Sequence, residues 1–256
     1  MTLSERFRTD GRRLFGSRSV MPLIVLPVLI FALPESARVE ESLGDAGSLI
    51  AQWVALAIAL SGLLLRCVTV AFAPEGTSSR DTRACRAPSL NTTGVYSLVR
   101  HPLYLGAGVM WVGVAMSLRV WWFALVVALA YWIYVERLMI VEEDFLDGQF
   151  GAPFREWAAT TPAFVPSLSG WRPSTETVQW RRVLSEHNGL LGVAATVLLL
   201  QVLEDIPIGG ETWGAWYFDH SDLVKLLGLA LLISSVAIVI RRRSDATKAM
   251  PEAELL

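Results

Sequence analysis

Cysteine is almost missing from this chain. Cys67 and Cys85 are the only two in 256 residues, so no disulfide framework and no cysteine metal knuckle can be built. Both read as reduced thiols at or near the cytoplasmic side. Charge is scarce as well: 18% of residues are Asp, Glu, Lys or Arg against 53% hydrophobic, which lies outside the range of a soluble domain. The charges nearly cancel, and a net −2 singles out no partner; nucleic acid is not among those expected. No glycine-rich strand–turn–helix signature occurs, which excludes a Rossmann-type cofactor domain. No internal repeat or low-complexity tract is present. The first apolar stretch lacks a small-residue cleavage site and runs into an acidic loop, so it does not read as a cleavable signal peptide.

Long apolar runs fill the space that charge leaves. Leu49 to Ala73 carries one charge, Arg66, in 25 residues. As a helix it is roughly 37 Å long, enough to cross a ~30 Å hydrocarbon layer with some tilt. Val20 to Leu33 is shorter and holds Pro22 and Pro27, a kinked or marginal span. Leu103 to Val141 is too long for one helix, and Ser117-Leu118-Arg119 divides it into a hairpin. Gly189 to Leu203 and Leu223 to Ile240 complete an expected six spans. Basic residues orient them. Arg6, Arg8, Arg12, Arg13 and Arg18 precede the first span, and Arg241, Arg242 and Arg243 follow the last. The expected outer loops hold only Arg38, Arg119 and Lys225, and are acidic instead. The fold class is therefore all-α: a polytopic membrane bundle with both termini cytoplasmic, placed in a bacterial inner membrane.

Three regions follow. Residues 1–48 are a basic arm, the first span and an outer loop. Residues 49–166 form the informative core, and residues 167–256 add a linker rich in Trp and Pro, two further spans and a charged tail. Pro74 to Val99 is polar and rich in turn formers, a structured cytoplasmic loop. Phe145, Leu146, Phe150, Phe154 and Trp157 have helical spacing, which predicts an amphipathic surface helix over 142–157 broken at Gly151-Ala152-Pro153.

Charges inside spans need a reason, because each exposed one costs about 2.5–3.5 kcal/mol at mid-bilayer. Arg66 lies in the second span, and Glu136 and Arg137 lie near the end of the fourth. Two readings stand: they snorkel to the surface, or they face a cavity and pair with each other or a ligand. Glu142 and Glu143 follow at the same membrane level. Arg100-His101-Pro102 starts the third span, since Pro extends the residue before it and suits a first helical turn. The amides at that end can hold a carboxylate or phosphate. Taken alone, His101 is a helix-start hydrogen-bonder. His220, with Asp219, Asp222 and nearby Trp213, Trp216 and Tyr217, reads as an aromatic interface belt rather than a metal site.

Gly94-x-Tyr96-x-x-Val99-Arg100-His101-Pro102-x-Tyr104-x-Gly106 closely resembles the isoprenylcysteine carboxyl methyltransferase family and the related phospholipid methyltransferases. The second half is similar too: Glu142-Glu143-x-x-Leu146-x-x-x-Phe150-Gly151-x-x-Phe154-x-x-Trp157, then Pro162. The resemblance covers roughly residues 50–166. It implies a helical bundle with a cytosol-facing pocket for S-adenosyl-L-methionine, and a lipid or lipidated acceptor entering from the bilayer. Carried over, the donor pocket is Ser89, Leu90, Asn91, Tyr96, His101, Pro102, Leu103 and Tyr104, closed by Glu142. Arg100 and Arg137 would position an anionic acceptor, and Glu143 or Glu142 would serve as base for an amine. The chain departs from the family at Phe154 and Trp157, where Tyr is usual. It also has Leu138 where the carboxyl methyltransferases have Arg, and Thr160 where they have a basic residue. The acceptor class stays open: O-methylation of an anionic group leads, lipid-amine N-methylation follows. Outside this class stand a sterol-reductase-like NADPH enzyme, which shares an Arg-His-Pro-x-Tyr helix start, and a non-enzymatic membrane scaffold.

Overall fold

The computed structural model describes residues 3–16, 25–74 and 88–249. Cys85, half of the 74–99 loop, the start of the expected first span and the end of the tail lie outside them. The described residues form nine α-helices joined by turns, with one isolated β-bridge between Gly94 and Arg172. They are α1 (Leu3–Gly16), α2 (Leu26–Ala71), α3 (Pro102–Met116), α4 (Trp121–Phe150), α5 (Ala152–Thr160), α6 (Trp180–Val183), α7 (His187–Asp205), α8 (Trp213–Asp219) and α9 (Ser221–Ala249). Four stretches are long and apolar enough to cross a membrane: Leu26–Ala71, Trp121–Phe150, Trp180–Asp205 and Ser221–Ile240. Pro102–Met116 is a shorter apolar helix.

The acidic stretch expected as an outer loop is helical. Helix α2 runs on past Pro34 and breaks only at Gly44, whose φ of 67° and ψ of 173° leave the helical region. Glycine adopts that φ without a Cβ clash. Ser48 Oγ donates to the Glu40 carbonyl at 3.4 Å, whereas eight residues of unbroken helix would separate them by about 12 Å. The chain therefore doubles back at Gly44. The acidic side chains can be helical here because other elements bring them donors. Trp122 Nε1 donates to Glu35 at 2.8 Å and Arg119 reaches Glu40 at 3.0 Å.

The second arm of α2 lies directly on α3, and small residues set the separation. A Cβ on Gly62 would stand 2.5 Å from the Gly106 carbonyl, and one on Gly113 would overlap the Ala59 backbone. Backbones approach this closely where Gly and Ala line a helix interface, the arrangement favoured in membrane bundles. Ala32, Leu56, Ala59, Leu118, Val120, Phe123 and Val197 form the buried cluster that joins α2, α3, α4 and α7. Leu229, Leu232, Val236 and Ile240 of α9 stay exposed, the outward apolar surface a helix shows to lipid.

Two further expectations change. Residues 142–150 do not start a separate surface helix; they continue α4, which ends at Gly151 with φ 62°. The break falls at the expected place, and Pro153 sits in the first turn of α5, where its missing N–H costs nothing. The basic arm is likewise ordered as α1, and it packs on α4. A Cβ at Gly11 would meet the backbone of Arg137 and the side chain of Val141.

Gly113→Leu should cost about 1–3 kcal/mol by overpacking the α2–α3 interface. Gly148→Ala, at an exposed helix position with nothing within 4 Å of the new Cβ, should stabilise by about 0.5–1 kcal/mol. Denaturation curves in mild detergent read both. Equal stability of the two variants would mean that this helix separation is not set by its glycines.

Candidate functional site

The site is assembled where α3 begins. His101, 5% exposed, is the residue before the helix, with φ −122° and ψ 60°. That non-helical geometry agrees with Pro102, which disfavours the helical region for its neighbour. Pro102 at the first helical position fixes the start. Glu142 and Glu143 lie on α4, which returns from the Ser117–Arg119 turn to the level where α3 began. His101 Nε2 stands 2.9 Å from Glu143 Oε1 and His101 Nδ1 stands 3.6 Å from Glu142 Oε2. The Arg100 guanidinium meets the same Glu143 oxygen at 2.9 Å. Two cationic donors thus close on two carboxylates at the positive end of a helix. The His101 ring stacks on Tyr104 with centroids 5.7 Å apart.

The chain after α5 forms a strap along this cluster. Arg100 N–H donates to the Pro162 carbonyl, His101 N–H to the Ala163 carbonyl and Ser167 N–H to the Leu98 carbonyl. Gly94 N–H donates to the Arg172 carbonyl at 2.8 Å, and Arg172 N–H to Ser97 Oγ at 2.9 Å. Between strap and loop lies a cavity of about 230 Å³ lined by Thr92, Ser97, Thr160, Thr161, Trp171 and Arg172. Trp157 Nε1 donates to the Tyr96 carbonyl at 3.2 Å, tying α5 to the same loop. The Trp that replaces the family's Tyr thus makes a specific bond.

Burial pulls the His101 imidazole towards its neutral form, but hydrogen bonds to Glu142 and Glu143 outweigh it, and its pKa is raised. Burial and then the Glu142 charge push the Tyr96 phenol up, so it stays a neutral donor. Asn91 Oδ1 accepts from the Thr93 N–H at 3.1 Å and from the Thr93 hydroxyl at 3.3 Å. Asn91 Nδ2 and Arg100 Nε are buried with no hydrogen-bond partner among the described residues.

Not every candidate joins the cluster. Arg137 bonds the Ile133 carbonyl of its own helix, pairs with Glu136 at 3.6 Å and lies over the Phe7 ring of α1 at 4.8 Å. It faces α1 and not His101. Ser89 is exposed and Leu90 half-buried on the loop. Leu138 is 1% exposed in a core of Tyr134, Val135 and Met139, so an arginine at that position would have no polar surroundings here.

Residues 50–153 match the model of the phospholipid methyltransferase family. Over that segment the chain is similar to this family. The match takes in Asn91, Tyr96, the α3 start and both glutamates. The chain is 34% identical over 131 residues to the cobalt-zinc-cadmium resistance protein of Cupriavidus metallidurans, covering 47% of this chain and 57% of that protein. It is 34% identical over 116 residues to the nickel-cobalt-cadmium resistance protein of Alcaligenes xylosoxydans xylosoxydans, covering 44% and 54%. It is 30% identical over 79 residues to the protein-S-isoprenylcysteine O-methyltransferase of Schizosaccharomyces pombe, covering 31% and 34%. The chain thus spans no more than 57% of the length of these relatives. No solved structure matches.

The phospholipid methyltransferase family points to S-adenosylmethionine as methyl donor, and the residues present fit such a group. A zwitterionic amino-acid end needs donors for its carboxylate and an acceptor for its ammonium. Asn91 Nδ2 and Arg100 Nε are donors of the first kind, and Glu142, part-exposed beside His101, is an acceptor of the second. Sequence reasoning missed Glu186. Arg66 Nε bonds Glu186 Oε2 at 2.9 Å, a second guanidinium nitrogen bonds Oε1 at 3.3 Å, and a third bonds the Leu103 carbonyl at 3.1 Å. This buried pair anchors α2 and the head of α7 to the first turn of α3. A charge in a span needing a counter-ion was the only signal. Arg172 was missed as well, because its tie to the site is made by its backbone.

A raised His101 pKa gives a definite sign. The imidazolium pairing contributes stability that is fully present below the unfolded value near 6.5, and it is lost as pH rises through the folded value. Melting temperature in detergent should therefore fall as pH rises above 6.5, and the slope should flatten in His101→Asn. An identical slope in both proteins would show that His101 does not titrate as the paired imidazolium.

Proposed function

We propose that this chain is an S-adenosylmethionine-dependent methyltransferase of the bacterial inner membrane, acting on a lipid or lipidated acceptor. Six spans, with the two arms of α2 counted separately, and both termini in the cytoplasm complete the proposal. The two arms and the acidic turn at Gly44 support the count, and the basic ends support the orientation. The observation that carries the function is the meeting of both family motifs in one cluster, Arg100 and His101 against Glu142 and Glu143.

When bound, S-adenosylmethionine supplies an electrophilic methyl group on a sulfonium. The chain supplies position and a dry site. Asn91 and Arg100 hold the carboxylate end of the donor, Glu142 its ammonium, and Tyr96 and Tyr104 wall the pocket with His101. Glu143 positions Arg100 and His101. An amine acceptor must lose a proton before attack, and a carboxylate held by two cationic partners is poorly placed to take it. An anionic oxygen needs no base, so O-methylation is the favoured reaction and N-methylation the runner-up. Arg137 is assigned to the acceptor entrance between α1 and α4. A part in divalent-metal tolerance is a second reading, suggested by the names of the two bacterial relatives.

Calorimetric titration of the detergent-purified chain tests the pocket. Glu142→Ala and Arg100→Lys should each weaken donor binding about tenfold or more, the latter because Lys cannot reproduce the planar fork. Unchanged affinity in both, or binding of NADPH in place of the donor, would sink the assignment. Incubation with labelled donor and a bacterial lipid extract then reads the acceptor. Label released by mild alkali marks a methyl ester, and alkali-stable label marks an N-methyl product.

A further inference from the structure

The far end of the bundle from His101 holds a second polar cluster that the methyltransferase site does not use. Arg119 follows α3, with a left-handed φ of 60°, and its side chain is 1% exposed. One guanidinium nitrogen meets Glu204 Oε1 at 2.6 Å, Glu40 Oε2 at 3.0 Å and Ser36 Oγ at 3.5 Å. Asp205 lies beside Glu204, and its Oδ2 accepts from Trp216 Nε1 at 3.1 Å and stands 3.4 Å from His220 Nε2. Trp216 and His220 stack on each other at 5.1 Å, so α8 caps the cluster. Glu211 is held close by its N–H to the Asp205 carbonyl at 3.0 Å.

We infer that Glu40, Glu204 and Asp205 form a divalent-cation site, with the Gln201 amide oxygen as a further ligand. One carboxylate oxygen from each of the three residues lies within 4.8 Å of the others. Oxygen ligands on opposite sides of a cation with bonds of about 2.3–2.6 Å are about 4.6–5.2 Å apart, so one ion fits without rebuilding the backbone. Charge points the same way. Two of the three carboxylates, Glu204 and Asp205, are buried and one guanidinium faces the set, so negative charge is in excess where uncompensated charge is strongly unfavourable. A divalent cation cancels it.

The independent observation is Gln201. It is 0% exposed, and neither its Oε1 nor its Nε2 has a hydrogen-bond partner among the described residues. It lies three and four residues before Glu204 and Asp205 on α7, so the three share one helix face. Helical side chains lean towards the N-terminus, which carries the Glu204 carboxylate back over the Gln201 turn. Glu204 Oε2 is likewise buried without a partner, although Oε1 is fully engaged by Arg119. An all-oxygen set of carboxylates and an amide selects a hard cation of the Mg²⁺, Ca²⁺ or Mn²⁺ type. His220 stays outside, holding Asp205 in orientation as a metal-site partner does.

Mn²⁺ is the probe, since its free form is read directly by electron paramagnetic resonance. The detergent-purified full chain should bind one equivalent and melt at a higher temperature with Mn²⁺ present, and Mg²⁺ or Ca²⁺ should compete. Glu204→Gln combined with Asp205→Asn should weaken binding at least tenfold and abolish the melting shift. If that variant does not fold, Glu40→Gln, at a half-exposed carboxylate, and Gln201→Leu decide the matter, each weakening binding several-fold. Failure of the native chain to bind Mn²⁺ at millimolar concentration would overturn the site. Binding undiminished in Glu40→Gln and Gln201→Leu would overturn it equally, since the ion would then lie elsewhere.

Discussion

A charge carried into the low-dielectric interior of a membrane bundle must bring its counter-charge with it, because leaving one partner alone costs on the order of 3–5 kcal/mol. Three guanidiniums in this protein obey that constraint, and each does so by joining helices distant in sequence. Arg66 of α2 pairs with Glu186 at the head of α7, 120 residues on. Arg100 closes on Glu143 of α4. Arg119 joins the α3–α4 turn to α2 and α7 through Glu40 and Glu204. The close α2–α3 contact through Gly62 and Gly106 serves the same end, since it brings Arg66 level with the first turn of α3.

The polar groups gather at the two ends of the bundle, with apolar helix between them. At one end His101, Arg100, Glu142 and Glu143 meet under the strap of residues 162–172. There the buried Asn91 Nδ2 and Arg100 Nε lack partners within the described chain. At the other end the Gln201 amide and Glu204 Oε2 lack partners among the described residues, beside a surplus of carboxylate. Both ends are capped by tryptophan hydrogen bonds, from Trp157 to Tyr96 and from Trp216 to Asp205.

Departures from the family pattern acquire physical meanings in this packing. Leu138 occupies a dry core position, and the neighbouring Arg137 turns to α1 and stacks on Phe7. Helix α1, a basic arm by composition, thereby becomes a structural neighbour of α4, the helix that carries Glu142 and Glu143. Trp157 bonds the loop carbonyl of Tyr96, and Thr160 lines the hydroxyl-rich cavity below Arg172.

Local pattern alone determined much of this protein. Apolar run lengths marked the long helices, Pro102 marked the start of α3, Ser117 to Arg119 marked its turn and Gly151 a helix break, which the structure shows to be the end of α4. Each is a short-range steric or solvation rule that needs no neighbour in space. The contiguous strings around His101 and Glu142 were legible for the same reason. Tertiary structure alone decided which of the candidate charges meet. It sent Arg137 to α1, gave Arg66 the partner Glu186, and made the acidic stretch before Gly44 helical by supplying Trp122 and Arg119 as donors. It also drew residues 40, 119, 201, 204 and 205 into one cluster. Charge pairing is fixed by distance in space, and those distances are set by helix packing that no window of sequence contains.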